Sequence, residues 1–421
     1  FSIMPLQKLQ FKPGINKEIT NYSNEQGWNK SDKIRFKKGF PEQIGGWTRV
    51  ADTQVVGTAR TLINWIALDG DNLVGVGTNI KYYVLDGQTY VDKTPVRELQ
   101  ALGNNPFTSA SSSTTVTVTD TGHGAEDGAY VTFSGATTFN GIDATEINKE
   151  HRLTYVDANS YTITVDSAAS GAGAGGGNSA KAEYQINPGQ EVFSYTSGWS
   201  SGSWSSGGWG QTGFSDLAQQ LRLWIHDNYG EDIITNVYQG DIFYLDKDGT
   251  NSMKTGAPYT SSSDITYRMR SIFDIVDANS SSPIDKTYIP TQVTYSMVSQ
   301  QARHVICFGA DKQGGSGAFD PLLVRWSTSE DYQDWKPLAT NSAGDFRLEQ
   351  GSQIVGAVKT RQEILIFTDT AVYAMQYVGF PYIFSFNLLA SNISLMSPNA
   401  VSVANNIVFW MGRDKFYIFD G

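Results

Sequence analysis

The feature that most constrains this chain is a hairpin-like string that recurs. Residues 72–87, NLVGVGTNIKYYVLDG, align without gaps on 406–421, NIVFWMGRDKFYIFDG. Both run Asn, two aliphatics, a variable turn region, then an aromatic-rich strand closing on Asp-Gly. Residues 232–247, DIITNVYQGDIFYLDK, and residues 363–377 follow the template less strictly. In the 363–377 copy, 364–367 is apolar at every position, as in a strand buried on both faces, and 372–377 is rich in strand formers. The turn between them is Thr368-Asp369-Thr370. A lone hairpin cannot bury its own faces, so a repeated one demands stacked neighbours.

The spacing suggests the unit. From 363 to 406 is 43 residues, within the roughly 40–50 of a four-stranded propeller blade. The interval from 232 to 363 reads as three such units. That from 72 to 232 reads as two plus an insertion of about 80 residues. The expected fold is all-β: a β-propeller-like body of four-stranded blades over 51–104 and 189–421, preceded by an extended N-terminal segment, 1–50. The chain starts at Phe1 and stops at Gly421 on a turn-like string, so the expectation is a piece of a longer polypeptide with a body incomplete at its C-terminus.

Composition locates the insertion at 105–188. Flexible Ser-rich (109–113) and Gly-rich (171–177) stretches bound it. Between them alternating segments stand out at 115–119, 130–133, 153–156 and 161–165, separated by turns such as His123-Gly124 and Asp157-Ala158-Asn159. These predict a separately folded, small β-sandwich-like module.

Charge argues against one class of function. The net charge is −11, whereas gripping phosphate needs clustered Lys and Arg. The one basic cluster, Lys30, Lys33, Arg35, Lys37 and Lys38, alternates with Ile34 and Phe36 and reads as a solvated strand face. No run of about 18 apolar residues suits a membrane-spanning helix. The single cysteine, Cys307, sits in the apolar run His304-Val305-Ile306-Cys307-Phe308 and reads as a buried thiol.

Candidate chemistry is sparse. The histidines, at 123, 151, 226 and 304, lack metal-ligand spacing, and His226-Asp227 reads as a turn-capping pair. Gly171–177 lacks the Lys-Ser/Thr of a phosphate loop. Asp246-Lys247-Asp248-Gly249 begins like a calcium loop, but Ala257 stands where a bidentate Glu is required. No catalytic, cofactor-binding or metal-binding residue is therefore assigned. The candidate partner interface is the string 198–213, GWSSGSWSSGGWGQTG, where Trp199, Trp204 and Trp209 recur amid Gly and Ser; tryptophan is enriched at interface hot spots.

One turn is informative. Trp326-Ser327-Thr328-Ser329-Glu330-Asp331-Tyr332-Gln333-Asp334-Trp335 resembles the Asp-box of sialidase-type propellers, with Ser329 and Asp331 matching and the glycine and threonine missing. In those proteins the box is a structural turn. Asp331 and Asp334 as a glycosidase pair is the sharper and much weaker reading.

Several strings together resemble tailed-phage structural proteins: 223–232 (LWIHDNYGED), Arg325-Trp326-Ser327 with Asp331 and Asp334-Trp335, 341–345 (NSAGD), 40–47, 376–379 and 409–412. The family they resemble is the tail hub or nozzle of short-tailed phages, also described as a packaged-DNA stabilisation protein. The resemblance implies a homo-oligomeric ring, sixfold in that family, below portal and adaptor proteins. Genomic DNA is retained and ejected through it without sequence-specific binding, and tail fibres or spikes attach around it. It implies a location in the virion tail after assembly in the host cytoplasm, and no enzyme activity. The competing class is a carbohydrate-binding or carbohydrate-cleaving propeller, which an arginine triad on successive blades with a Tyr/Glu pair would favour; no such set can be assembled from the sequence.

Overall fold

The computed structural model describes residues 11–46, 48–192, 221–247, 268–278, 283–312 and 318–421. The chain divides into two units, 1–52 and 53–421. In the larger unit, five antiparallel meanders follow one another along the chain. Blade 1 contains Ala59–Ile66, Asn72–Thr78, Tyr82–Asp86 and Thr89–Asp92; blade 2 contains Trp224–Tyr229, Asp232–Val237, Ile242–Leu245 and Arg270–Ser271. Blade 3 contains Val293–Val298, Val305–Asp311, Phe319–Trp326 and Gly344–Arg347; blade 4 contains Ile354–Lys359, Ile364–Thr368, Ala371–Gly379 and Ile383–Ser391. Blade 5 has three strands, Val401–Ala404, Ile407–Met411 and Phe416–Phe419. The fold is all-β and propeller-like.

The four repeated hairpins form the second and third strands of blades 1, 2, 4 and 5. The first strands of successive sheets lie beside one another: Ala59–Ile66 meets Trp224–Tyr229, which meets Val293–Val298, then Ile354–Lys359, then Val401–Ala404, and Val293–Val298 also meets the second strand of blade 2, Asp232–Val237. Outer strands also meet: Phe346 and Phe386, on the fourth strands of blades 3 and 4, stack with ring centroids 4.3 Å apart.

Why the repeat is apolar follows from where each face goes. A hydrophobic core lies between each neighbouring pair of blades. Strand residues alternate between them because successive side chains point to opposite faces. In blade 2, Ile233 enters the core shared with blade 1 and Ile234 the core shared with blade 3. In blade 4, Ile364 and Ile366 face blade 3, while Leu365 and Phe367 face blade 5. Full burial of each such side chain contributes about 1.5–3 kcal/mol, so an interior blade draws stability from both sides. Blade 5 shows the opposite case. Val408 and Trp410 are buried against blade 4, whereas Phe409, Met411, Phe416 and Ile418 on the other face are exposed.

Two spacing expectations differ from the structure. Among the described residues, one blade rather than two lies between the hairpins at 232–247 and 363–377, and none lies between those at 72–87 and 232–247. In the interval from 232 to 363 helix contributes residues without strands: Ile272–Ala278 is helical and Lys286–Tyr288 is a 3-10 turn.

The inserted segment folds as two sheets around its own core, which includes Phe107, Val118, Phe133 and Tyr161. One sheet runs Glu150–Arg152, Tyr130–Ser134, Lys181–Gln185, Val96–Ala101; the other runs Thr154–Asp157, Ser160–Thr164, Thr115–Thr119, Phe107–Ser109, Gly173–Gly175. Val96–Ala101, on the body side of position 105, pairs antiparallel with Lys181–Gln185, so chain enters and leaves the lobe as adjacent strands.

In the smaller unit, Ile34–Lys37 pairs with Phe40–Gln43, and an isolated bridge joins Ile15 to Trp28. Among the described residues, no helix is long and apolar enough to cross a membrane.

Candidate functional site

The expected partner-binding residues Trp199, Trp204 and Trp209 lie outside the described residues. What the described residues bring together is a set of polar fastenings along the seam of first strands and at the root of the lobe.

At the junction of blades 1 and 2, the Trp224 indole Nε1 donates to the Thr78 carbonyl at 2.7 Å, and Trp65 Nε1 donates to the Glu231 carbonyl at 2.9 Å. The Tyr82 hydroxyl meets His226 Nδ1 at 3.1 Å. Burial presses the His226 imidazole down to about 4, so it is neutral near pH 7 and serves as a hydrogen-bonding ring rather than a charge. The blades approach closely here. A Cβ on Gly77 would stand 2.5 Å from Trp224 Cδ1 and from Thr61 Oγ1.

The next junctions converge on Asp227. Its carboxylate accepts the Val298 backbone N–H at 2.7 Å and pairs with Lys359, whose ammonium also donates to the Val298 carbonyl at 3.0 Å. One ion pair thereby joins the first strands of blades 2, 3 and 4. The expectation that His226-Asp227 caps a turn is corrected: both lie inside the strand Trp224–Tyr229 and each fastens it to a neighbouring blade. Asn236 adds a second tie, donating to the Val293 carbonyl at 3.0 Å and accepting Ser296 Oγ at 2.7 Å. Between blades 4 and 5 the Arg361 N–H donates to Asn406 Oδ1 at 2.9 Å.

At the root of the lobe, four charged side chains form a closed circuit. Lys81 Nζ lies 2.7 Å from Asp92 Oδ2 and 2.5 Å from Glu150 Oε1; Arg268 lies 3.0 Å from Asp92 Oδ1 and 3.1 Å from Glu150 Oε2. Lys81 and Asp92 come from blade 1, Glu150 from the lobe, and Arg268 from the approach to the last strand of blade 2. Gln185 of the lobe donates to Glu150, and the Lys81 ammonium sits 4.2 Å from the Tyr130 ring centroid. Burial works against the charged form of Asp92. Arg268, Lys81 and hydrogen bonds outweigh it and hold the carboxyl below its usual range.

The remaining sequence candidates resolve as structural. His123 bonds the Asp157 carbonyl at 2.9 Å, His151 the Ile147 carbonyl at 3.2 Å, and His304 the Ser327 carbonyl at 2.8 Å. Cys307 is fully buried between blades 2 and 3, and burial raises its thiol pKa well above normal. In the Asp-box-like turn, Asp331 caps the Gln333 N–H at 2.8 Å, and Asp334 accepts Thr328 Oγ1 at 3.0 Å and Asn341 Nδ2 at 2.9 Å. Trp335 is buried, its indole donating to the Tyr332 carbonyl at 2.8 Å. The two carboxylates are thus engaged in shaping the turn. Among the described residues no group of three or more His, Cys, Asp or Glu side chains could hold a metal ion.

Sequence reading missed the charged circuit and the Asp227–Lys359 pair. Asp92 and Arg268 are 176 positions apart and Asp227 and Lys359 are 132, and no local pattern signals such pairings.

No protein-family model matches the chain, and no curated protein matches it. Among solved structures it is similar to the phage phi92 endosialidase, with a TM-score of 0.27 and 11% sequence identity, over 88% of this chain and 55% of that one. The chain thus spans little more than half the length of that protein, and a likeness of this size bears on neither fold nor activity.

Proposed function

We propose that this chain is a structural subunit of a phage tail, a hub or nozzle protein that assembles with copies of itself into a ring and performs no catalysis. DNA passes through the ring without sequence-specific binding. Portal or adaptor proteins lie on one side, and fibres or spikes attach around it.

The observation that carries this reading is the set of strings resembling tail hub proteins and the work those strings do in the fold. Trp224 of the 223–232 string fastens blade 1 to blade 2. Arg325 is buried, donating to the carbonyls of Asp311 and Tyr288. Trp326 donates to the Ser342 carbonyl at 2.9 Å, and Trp410 packs edge-on against Phe367 across blades 4 and 5. The resemblance is therefore carried by scaffold residues, which suits a protein whose task is to hold a shape. A net charge of −11 also suits a conduit for a polyanion, since gripping cations would retard sliding through counterion release.

Electron microscopy of the purified protein, together with a salt titration of duplex binding, tests the proposal. A closed ring with an axial channel and no measurable duplex affinity at physiological salt is expected. A monomer with a central sugar-binding pocket, or sub-micromolar and salt-steep DNA affinity, would overturn it. Truncating Trp199, Trp204 and Trp209 together to Ala is expected to weaken assembly or fibre docking while the subunit stays folded.

A further inference from the structure

The longest stretch of this chain without a charged residue runs from 370 to 412. At the chain's 17% of charged residues, its 43 positions would hold about seven. Two exposed apolar features draw on this stretch, one on blade 4 and one on blade 5.

The first is a finger. Ala371–Gly379 and Ile383–Ser391 are the longest strands among the described residues, nine residues each. The second strand of blade 4 ends its pairing at Ile364 with Met375. The two long strands go on beyond it, pairing Gln376 with Ser385, Tyr377 with Phe384 and Gly379 with Ile383. This ribbon presents Val378, Phe380 and Tyr382, which are 54%, 73% and 79% exposed. Its base is held firmly. Ile383 has a φ of 62°, a conformation that β-branched residues avoid, and its side chain is buried in the core between blades 3 and 4. Backbone strain kept in place by packing gathers at functional sites.

The second feature is the open face of blade 5. Phe409 pairs with Ile418 and Met411 with Phe416, so the four side chains form one exposed block turned away from blade 4. Arg413, Asp414 and Lys415 lie in the turn that joins the two strands, at the margin of the block. Aromatic and Met side chains at the centre, with charge at the margin, are the composition of a protein interface.

We propose that the finger of one copy of this chain, Val378, Phe380 and Tyr382, docks on the open face of blade 5 of a second copy. Within one chain the two do not meet. The finger belongs to blade 4, which packs on the opposite face of blade 5 through Val408 and Trp410, and both features stay exposed. Charge selects a second copy over another partner. Each copy carries −11, so copies approach with least repulsion through side chains that bear no charge, whereas a cationic partner is drawn to acidic ones. Finger and face are different surfaces, so the contact is head-to-tail, and a head-to-tail contact that closes gives a ring. The inference rests on the proposed self-assembly and names the surfaces that carry it.

The test uses the full chain. Sedimentation equilibrium at 50 and 500 mM NaCl compares the wild type, the finger variant F380S/Y382S, the face variant F416S/I418S and an equal mixture of the two variants. The four substituted side chains are 62% exposed or more, so circular dichroism and melting should match the wild type. Wild-type association is expected to be as strong at 500 mM as at 50 mM. Each variant alone should associate at least tenfold more weakly. In the mixture one protein keeps a face and the other a finger, so a one-to-one dimer should return, and no ring. Variants that assemble like the wild type would overturn the contact and leave the ring reading intact. A wild type that stays monomeric at every concentration would overturn both. Loss in only one of the two variants would overturn the pairing of finger with face, as would a mixture that stays monomeric. Wild-type association that weakens tenfold with salt would place the contact on charged surface and overturn the proposal.

Discussion

Replacing Lys81 by Met removes one charge from the circuit at the root of the lobe and little else. The methionine side chain preserves most of the buried stem, so the loss is confined to the ammonium and its contacts with Asp92, Glu150 and the Tyr130 ring. Asp92 and Glu150 are left with Arg268 as their common cation. Removing one partner of a buried pair costs about 3–5 kcal/mol because the other charge stays desolvated. Here the lysine side chain is only 3% exposed, but those of Asp92 and Glu150 are 19% and 30% exposed. Water and Arg268 therefore recover part of the loss, and a cost of about 2–3 kcal/mol is expected. Urea denaturation at pH 7, followed by hydrogen exchange resolved between lobe and blade 1, reads it. The pH dependence identifies its origin. Asp92 titrates in the folded protein below its ordinary value of 3.8, so the stability it contributes is complete above that value and is lost as pH falls through the lower, folded pKa. The gap between variant and wild type should shrink below pH 3.8. A gap under about 0.5 kcal/mol at pH 7 would refute the circuit as a fastening. A gap of 2–3 kcal/mol that persists undiminished at pH 3 would place the loss in packing instead of charge.

Two further predictions follow from buried contacts. Gly77→Ala drives a Cβ into Trp224 and Thr61, and overpacking typically costs about 1–3 kcal/mol; a lower urea midpoint with a shifted tryptophan emission is expected, and an unchanged midpoint would mean that the blades separate freely there. Burial, with the Asp274 and Asp311 carboxylates nearby, pushes Asp241 up to about 7 from 3.8. Its stability contribution is thus present below 3.8 and lost as pH rises through 7. Asp241→Asn should match the wild type at pH 3.5 and exceed it at pH 8 by on the order of 2–4 kcal/mol, and equal pH profiles for the two proteins would refute this.

Much of the fold was legible locally. Period-two alternation and a fully apolar strand are properties of a few consecutive residues. The run 364–367 could therefore announce that both of its faces are covered before either covering blade was known. For the same reason the alternating strands of the inserted lobe stood out between flexible boundaries. The hairpin of blade 3 escaped notice because residues 312–318 lengthen its connection and break a gapless alignment. The intervals between repeats suggested more blades than the described residues form, in the interval from 232 to 363 because helix contributes residues without contributing strands.

The sequence by itself determined that strands with two apolar faces must be stacked, because side-chain alternation and the free energy of burial act at the scale of a single strand. Only the tertiary structure decided what the polar residues do. His226 and Asp227 read as a pair at a turn, since polar side chains in isolation belong near water. In the folded chain Tyr82, Val298 and Lys359 reach them from three other blades and satisfy their hydrogen bonds. Lys81, Asp92, Glu150 and Arg268 likewise acquire meaning only when the lobe and two blades meet. A buried polar group is tolerated where partners converge on it, and partners as far apart in sequence as Asp92 and Arg268, 176 positions, are brought together by packing alone.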